Sequence, residues 1–121
     1  MSQDKPQKQP SMSLEENLKK ALTELLVLRL LSQREYYIGE LTTTLHEKSG
    51  GILNIVFPYS AVYRLQQSGY IIESEKRNAP DGRRRQYLCI TETGRSYLVQ
   101  LLEIYQIFSK GIDAILREGE N

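Results

Sequence analysis

The 121-residue sequence has no tryptophan, one cysteine and one histidine. A single cysteine, Cys89, excludes an internal disulfide and a cysteine-built zinc site, and it fits a reducing compartment. Its place between Leu88 and Ile90 reads as a small, buried and inert side chain rather than a redox sensor. His46 has no second histidine and no nearby cysteine, so it reads as an exposed helix residue; no metal and no cofactor are expected. No stretch approaches the ~18 apolar residues of a membrane span, and the N-terminus carries no apolar signal segment, so a cytoplasmic protein without membrane contact is expected. Nucleophile–base pairs, paired-carboxylate clusters and Gly-rich phosphate loops are also missing, which argues against an enzyme.

Net charge is small over the whole chain but not in one place. The net charge is +1, with 16 basic and 15 acidic side chains. Residues 76–85 hold five basic side chains and one acid, a local charge of +4, whereas residues 14–75 and 86–121 each come to −2. Such a concentration points to a polyanionic partner, which the whole-chain balance does not. The apolar fraction of 40% and charged fraction of 26% are those of one ordinary folded domain.

The order of elements follows from periodicity. Residues 1–13 are polar, carry Gln and Pro and have no apolar period, so a disordered tail is expected. Ser13 with Glu16 has capping-box spacing ahead of a helix from about Leu14 to Ser32, striped by Leu14, Leu18, Leu22, Leu25, Leu26 and Leu30. The run "LLVLRLL" is apolar nearly all round, so this helix should be covered on several sides. A second helix, about Tyr37 to Lys48, presents Ile38, Leu41 and Leu45 and stops at Gly50-Gly51. A third, about Ile55 to Ser68, has Asn54 as a candidate cap and Pro58 either in its first turn or at its start; Val62 and Leu65 face inward.

"YIIESEK" and "RRQYLCI" alternate with period two around the turn residues Asn78, Pro80, Asp81 and Gly82, the pattern of a hairpin. A last helix opens near Thr91 or Thr93 and runs to about Arg117. Its Leu98, Leu101, Tyr105, Phe108, Ile112 and Ile115 keep a heptad seam that a small domain cannot cover by itself, so a homodimer through this helix is expected. The fold class is therefore mostly α with a β-hairpin, a winged helix-turn-helix plus a long C-terminal dimerisation helix. The tail spans 1–13, the winged-helix DNA-binding domain 14–90 and the dimerisation helix 91–118.

The residues then resemble the PadR family of bacterial transcriptional regulators. Tyr59, Arg64-Leu65 and Gly69-Tyr70-Ile71 are similar to the family's pattern at the end of the third helix. Arg83-Arg84-Arg85-Gln86-Tyr87 followed by Ile90-Thr91-Glu92-Thr93-Gly94-Arg95 is similar to its wing and "LTEEGR" block, and Tyr36 to Leu41, "YYIGEL", to its second-helix start. The run Ile55-Val56-Phe57-Pro58-Tyr59 departs from the family's "PGTLY"-like opening of the recognition helix. The resemblance implies a homodimer on double-stranded DNA at a pseudo-palindromic operator, usually a repressor, relieved in some members by phenolic or other hydrophobic small-molecule effectors. Members that hold flat aromatic drugs use a tryptophan at the dimer centre; this chain has none, so that mode does not carry over.

On this layout Arg83, Arg84 and Arg85 sit at the wing tip, where guanidinium forks suit phosphate oxygens, although strand alternation sends one of them toward the protein. Tyr59, Ser60, Tyr63 and Arg64 are the recognition-helix candidates; for Tyr59, core packing with an outward hydroxyl competes evenly with groove contact. Thr42, Thr43 and Thr44 read as an exposed face of the second helix. Dimerisation would bring two recognition helices to half-sites about 34–36 Å apart. A winged-helix adaptor that binds another protein is the alternative function.

Overall fold

A computed structural model describes residues 14–55 and 58–119. The expected tail and its Ser13 cap, the side chains of Leu14 and Leu18, and Val56 and Phe57 lie outside the described residues. The elements are α1 (Leu14–Leu31), α2 (Ile38–Lys48), α3 (Tyr59–Gln67), β1 (Ile71–Asn78), β2 (Arg84–Ile90) and α4 (Glu92–Leu116).

The second half of α1 is the centre of the core. Val27, Leu28, Leu30 and Leu31 are all buried, which a helix achieves only when neighbours surround it; α2, α3, α4 and β2 all pack on α1. Leu22, expected in the inner stripe, is instead at the exposed edge. Leu41 and Leu45 of α2, Val62 and Leu65 of α3, Ile71 of β1, Leu88 of β2 and Leu98 of α4 close on this centre. Burying each such side chain contributes about 1.5–3 kcal/mol.

The α1–α2 connection adds a short third edge to the hairpin. The Tyr36 amide donates to the Leu88 carbonyl at 3.4 Å, and the Leu88 amide donates back to Tyr36 at 2.8 Å. Tyr36 is thereby buried, and β2 is fixed to the helical body as well as to β1.

The third helix is shorter than its sequence suggests. It begins at Tyr59, with Pro58 rather than Asn54 at the cap position and the Pro58 carbonyl accepting from the Val62 amide at 3.0 Å. The pyrrolidine ring disfavours helical backbone in the residue before it, so a helix here starts after the proline instead of running through it. Ile55 is buried in the core from the loop.

β1 and β2 pair antiparallel, from Ile71 opposite Ile90 at the base to Asn78 opposite Arg84 near the tip, with an irregularity between Glu73 and Lys76. After Ile71 the β1 strand is exposed on both faces through Lys76, so the expected alternation of burial is lost where the hairpin stands away from the body. Gly82 carries the turn at φ +85°, a backbone region that side chains disfavour. Its amide donates to the Ala79 carbonyl at 2.9 Å, and the Ala79 amide donates to the Arg83 carbonyl at 2.8 Å.

Thr91, not Thr93, caps α4. Its hydroxyl oxygen accepts from the Gly94 amide at 3.0 Å, and its hydroxyl donates to the Gly69 carbonyl at 2.7 Å. Gly94 is required by contact: a Cβ there would lie 2.1 Å from the Tyr70 carbonyl oxygen. The Tyr70 and Tyr97 rings stack at 4.1 Å, completing the joint between α4 and the end of α3. Beyond Leu102, every described residue of α4 except Ser109 is exposed. No described helix is long and apolar enough to cross a membrane.

Candidate nucleic-acid interface

Helix α3 has a clear inside and outside. Ala61, Val62 and Leu65 are buried, whereas Ser60 and Gln67 are exposed and Tyr59 and Tyr63 keep 55% and 62% of their surface accessible. Tyr59 is therefore an outward residue and not a core residue. It lines a groove of about 350 Å³ together with Gln66 of α3, Tyr37 at the start of α2, and Glu73 and Arg85 of the hairpin. Of the recognition-helix candidates, Tyr59 thus borders one groove with the wing.

Arg64, the fourth candidate on this helix, has a partner within the chain. Its guanidinium holds the Glu24 carboxylate of α1, with Nε and Nη2 both donating to Oε2. It joins α3 to α1 while its side chain remains 52% exposed. The pair is forty residues apart in sequence, so no spacing rule could have found it.

The wing arginines differ from one another. Arg83 and Arg84 are exposed, and among the described residues neither makes an ion pair. Arg85 is half-buried; its Nη2 donates to Asp81 Oδ2 at 2.7 Å and its guanidinium lies 5.0 Å from the Tyr37 ring centre. A second arginine of the hairpin, Arg77, had no signal beyond its charge. It sits 3.6 Å above the Tyr87 ring and donates to Glu35 at 2.9 Å and to Glu75 at 3.0 Å.

These contacts set the local electrostatics. The hydrogen bond from Arg77 holds the Glu35 carboxyl below its ordinary range, helped by the Ser74 hydroxyl and opposed by burial. The hydrogen bond from Arg85 does the same for Asp81, with the Arg83 amide adding to it. Among the described residues of the hairpin, the cations without an acid partner are therefore Arg83 and Arg84 near the tip and Lys76 on the stem.

The other singled-out side chains are placed as follows. Thr43 is exposed and bonds back to the Gly39 carbonyl at 3.4 Å. His46 is exposed. Cys89 is half-buried, and burial pushes its thiol up from the ordinary range. Among the described residues no group of His, Cys, Asp and Glu could hold a metal ion. In the expected seam of α4, Leu98 is buried within its own chain and Leu101 is half-buried against the same core. Tyr105, Phe108, Ile112 and Ile115 are 47–71% exposed, so the face left uncovered begins after Leu102.

Residues 27–100, from the last turns of α1 to the first third of α4, match the transcriptional regulator PadR-like family. The chain belongs to that family. The family consists of transcriptional regulators rather than enzymes. Its solved structures include a PadR-like transcriptional regulator from Bacillus cereus, 26% identical, with a TM-score of 0.71 over 86% of this chain and 99% of that one. A transcriptional regulator from Clostridium thermocellum is 26% identical, with a TM-score of 0.68 over 80% of this chain and 95% of that one. A PadR family transcriptional regulator from Eggerthella lenta shares the fold at 22% identity, with a TM-score of 0.71 over 88% of each chain. Among curated proteins nothing matches the sequence. The winged fold with a long C-terminal helix is thus the PadR-like architecture.

Proposed function

We propose that this PadR-like chain is a homodimeric, sequence-specific DNA-binding regulator that represses transcription in the cytoplasm by occupying a pseudo-palindromic operator. Helix α3 enters the major groove, with Tyr59, Ser60 and Tyr63 toward base edges, and the wing tip follows the phosphate backbone. The observation that carries the reading is the pair of exposed cations, Arg83 and Arg84, on a hairpin that borders the same groove as Tyr59. Guanidinium groups fit phosphate oxygens in bidentate fashion, and those without an acid partner neutralise phosphates without first breaking an ion pair. The uncovered Tyr105, Phe108, Ile112 and Ile115 support pairing of two α4 helices. Relief by a hydrophobic small molecule, which the family resemblance implies, belongs to the same proposal.

Titration of the protein with labelled duplex at several salt concentrations tests this. The expected log–log slope is several units, about 0.9 per phosphate neutralised. Arg84→Ala is expected to weaken binding to all sequences and to lower the slope by about one. A flat salt dependence with the dimer intact would overturn the reading. It would favour the adaptor function, to which one observation speaks: with Arg64 held by Glu24, the outward side of α3 shows tyrosine and glutamine and no unpaired cation among the described residues.

A further inference from the structure

Three adjacent arginines invite a single explanation, and the structure divides them. Arg85 lies opposite Arg77 across the hairpin. Like charges facing each other across two strands are destabilising, so each needs its own relief. Arg77 takes Glu35 and Glu75, and Arg85 takes Asp81. Both guanidiniums also lie over tyrosine rings, Arg77 on Tyr87 and Arg85 on Tyr37, and those two rings meet edge to face at 5.5 Å. The result is one ladder from the wing tip to the α1–α2 connection: Asp81, Arg85, Tyr37, Tyr87, Arg77, Glu35. Its anchor is firm, because Tyr37 stands at the cap position of α2 and Tyr87 is buried.

Asp81 has two jobs at the tip. Its Oδ1 accepts the Arg83 amide at 3.0 Å, which shapes the turn, and its Oδ2 accepts from Arg85. A carboxylate on a loop that faces phosphate opposes binding by its charge alone. Its position makes sense when what it holds is worth more than the repulsion it adds. The Arg85 Nε is buried against the stem, so this guanidinium is not extended toward solvent as those of Arg83 and Arg84 can be.

We propose that Arg85 is a positioning residue: clamped between Asp81 and the Tyr37 ring, it fixes the angle of the wing so that Arg83 and Arg84 alone meet phosphate. This rests on the DNA-binding reading above. The clamp combines a partly exposed ion pair with a cation–π contact, so its loss should weaken duplex binding by about three- to tenfold.

The deciding variant is Asp81→Asn, which keeps the oxygen that accepts the Arg83 amide and removes the charge that holds Arg85. Binding of full-length wild type, Asp81→Asn, Arg84→Gln and Arg85→Gln to random-sequence duplex is measured across salt concentrations. Tryptic cleavage after residues 83–85 is followed in parallel without DNA. The expected result is that Asp81→Asn binds more weakly although it has lost a negative charge, with an unchanged salt slope and faster wing cleavage. Arg85→Gln should likewise weaken binding at constant slope, whereas Arg84→Gln lowers the slope by about one. Unchanged or tighter binding by Asp81→Asn, a slope loss in Arg85→Gln equal to that in Arg84→Gln, or unchanged cleavage would each overturn the proposal. If wild type shows no salt-dependent binding, the DNA reading fails, and cleavage of Asp81→Asn still decides whether the clamp exists.

Discussion

The Arg64 guanidinium of α3 is bound to the Glu24 carboxylate of α1. The outward-facing helix is thus tied to the centre of the fold by a cation that its sequence position offers to DNA. The Glu24 side chain is 20% exposed and that of Arg64 52%, so the pair is partly screened. Glu24→Gln and Arg64→Ala should each cost up to about 1 kcal/mol of stability, and the double variant should cost little more than either alone. Urea melts of the four proteins check this. If Arg64 instead touched the duplex, Arg64→Ala would lower the salt slope of binding while Glu24→Gln would not.

The uncovered part of α4 sets a second expectation. Ile112→Asp or Tyr105→Asp should yield a folded monomer, because both side chains are about half exposed in the single chain and contribute little to its own core. Sedimentation velocity reads the mass, and circular dichroism confirms that the helices are kept. Leu98→Asp should behave differently and unfold the chain, since Leu98 is buried against α1 and its neighbours.

Gly94 makes a third. A methyl group at this position would overlap the Tyr70 carbonyl oxygen and press on the Ile90 side chain at 2.8 Å. Backbone must shift to admit it, and the stacking of Tyr97 on Tyr70 would shift too. Gly94→Ala should therefore destabilise by roughly 1–3 kcal/mol, the range for overpacking, despite the better helix propensity of alanine. Thermal melting against wild type measures it. A variant equal to wild type would mean that α4 can slide at this joint.

The acids of the wing give a pH dependence. Glu35 and Asp81 both have carboxyls held below their ordinary range, the first by the Arg77 hydrogen bond and the second by that of Arg85. A group whose folded pKa is depressed contributes its stability above the ordinary pKa, about 4, and loses it as pH falls through the folded value. Melting temperature should hold from pH 7 to about 5 and fall below about pH 4. Glu35→Gln should be less stable at pH 7 and should lose less on acidification. A parallel decline in wild type and variant would remove Glu35 as a contributor.

Much of the fold was legible because it depends on local patterns. The stripes of Leu41, Leu45, Val62 and Leu65, the turn residues Pro80 to Gly82 and the heptad spacing after Leu98 each report on neighbours within a few residues. Periodicity and turn chemistry are properties of that range, so the element order and the winged layout follow from sequence alone. The concentration of charge at 76–85 was legible for the same reason. The start of α3 was not, because Pro58 allows both a place in the first turn and a place at its head.

What only the tertiary structure decided is which charges are used up inside the molecule. Arg64, Arg77 and Arg85 look as available in sequence as Arg83 and Arg84. Their partners Glu24, Glu35 and the ring of Tyr37 come from segments tens of residues away, brought close by packing of α1, α2 and the hairpin on one core. The same packing took Leu98 into the core and left Tyr105 to Ile115 outside it, although one heptad runs through all of them. Helix spacing determines which side chains share a face; only the length of body beside that face determines where it stops being covered.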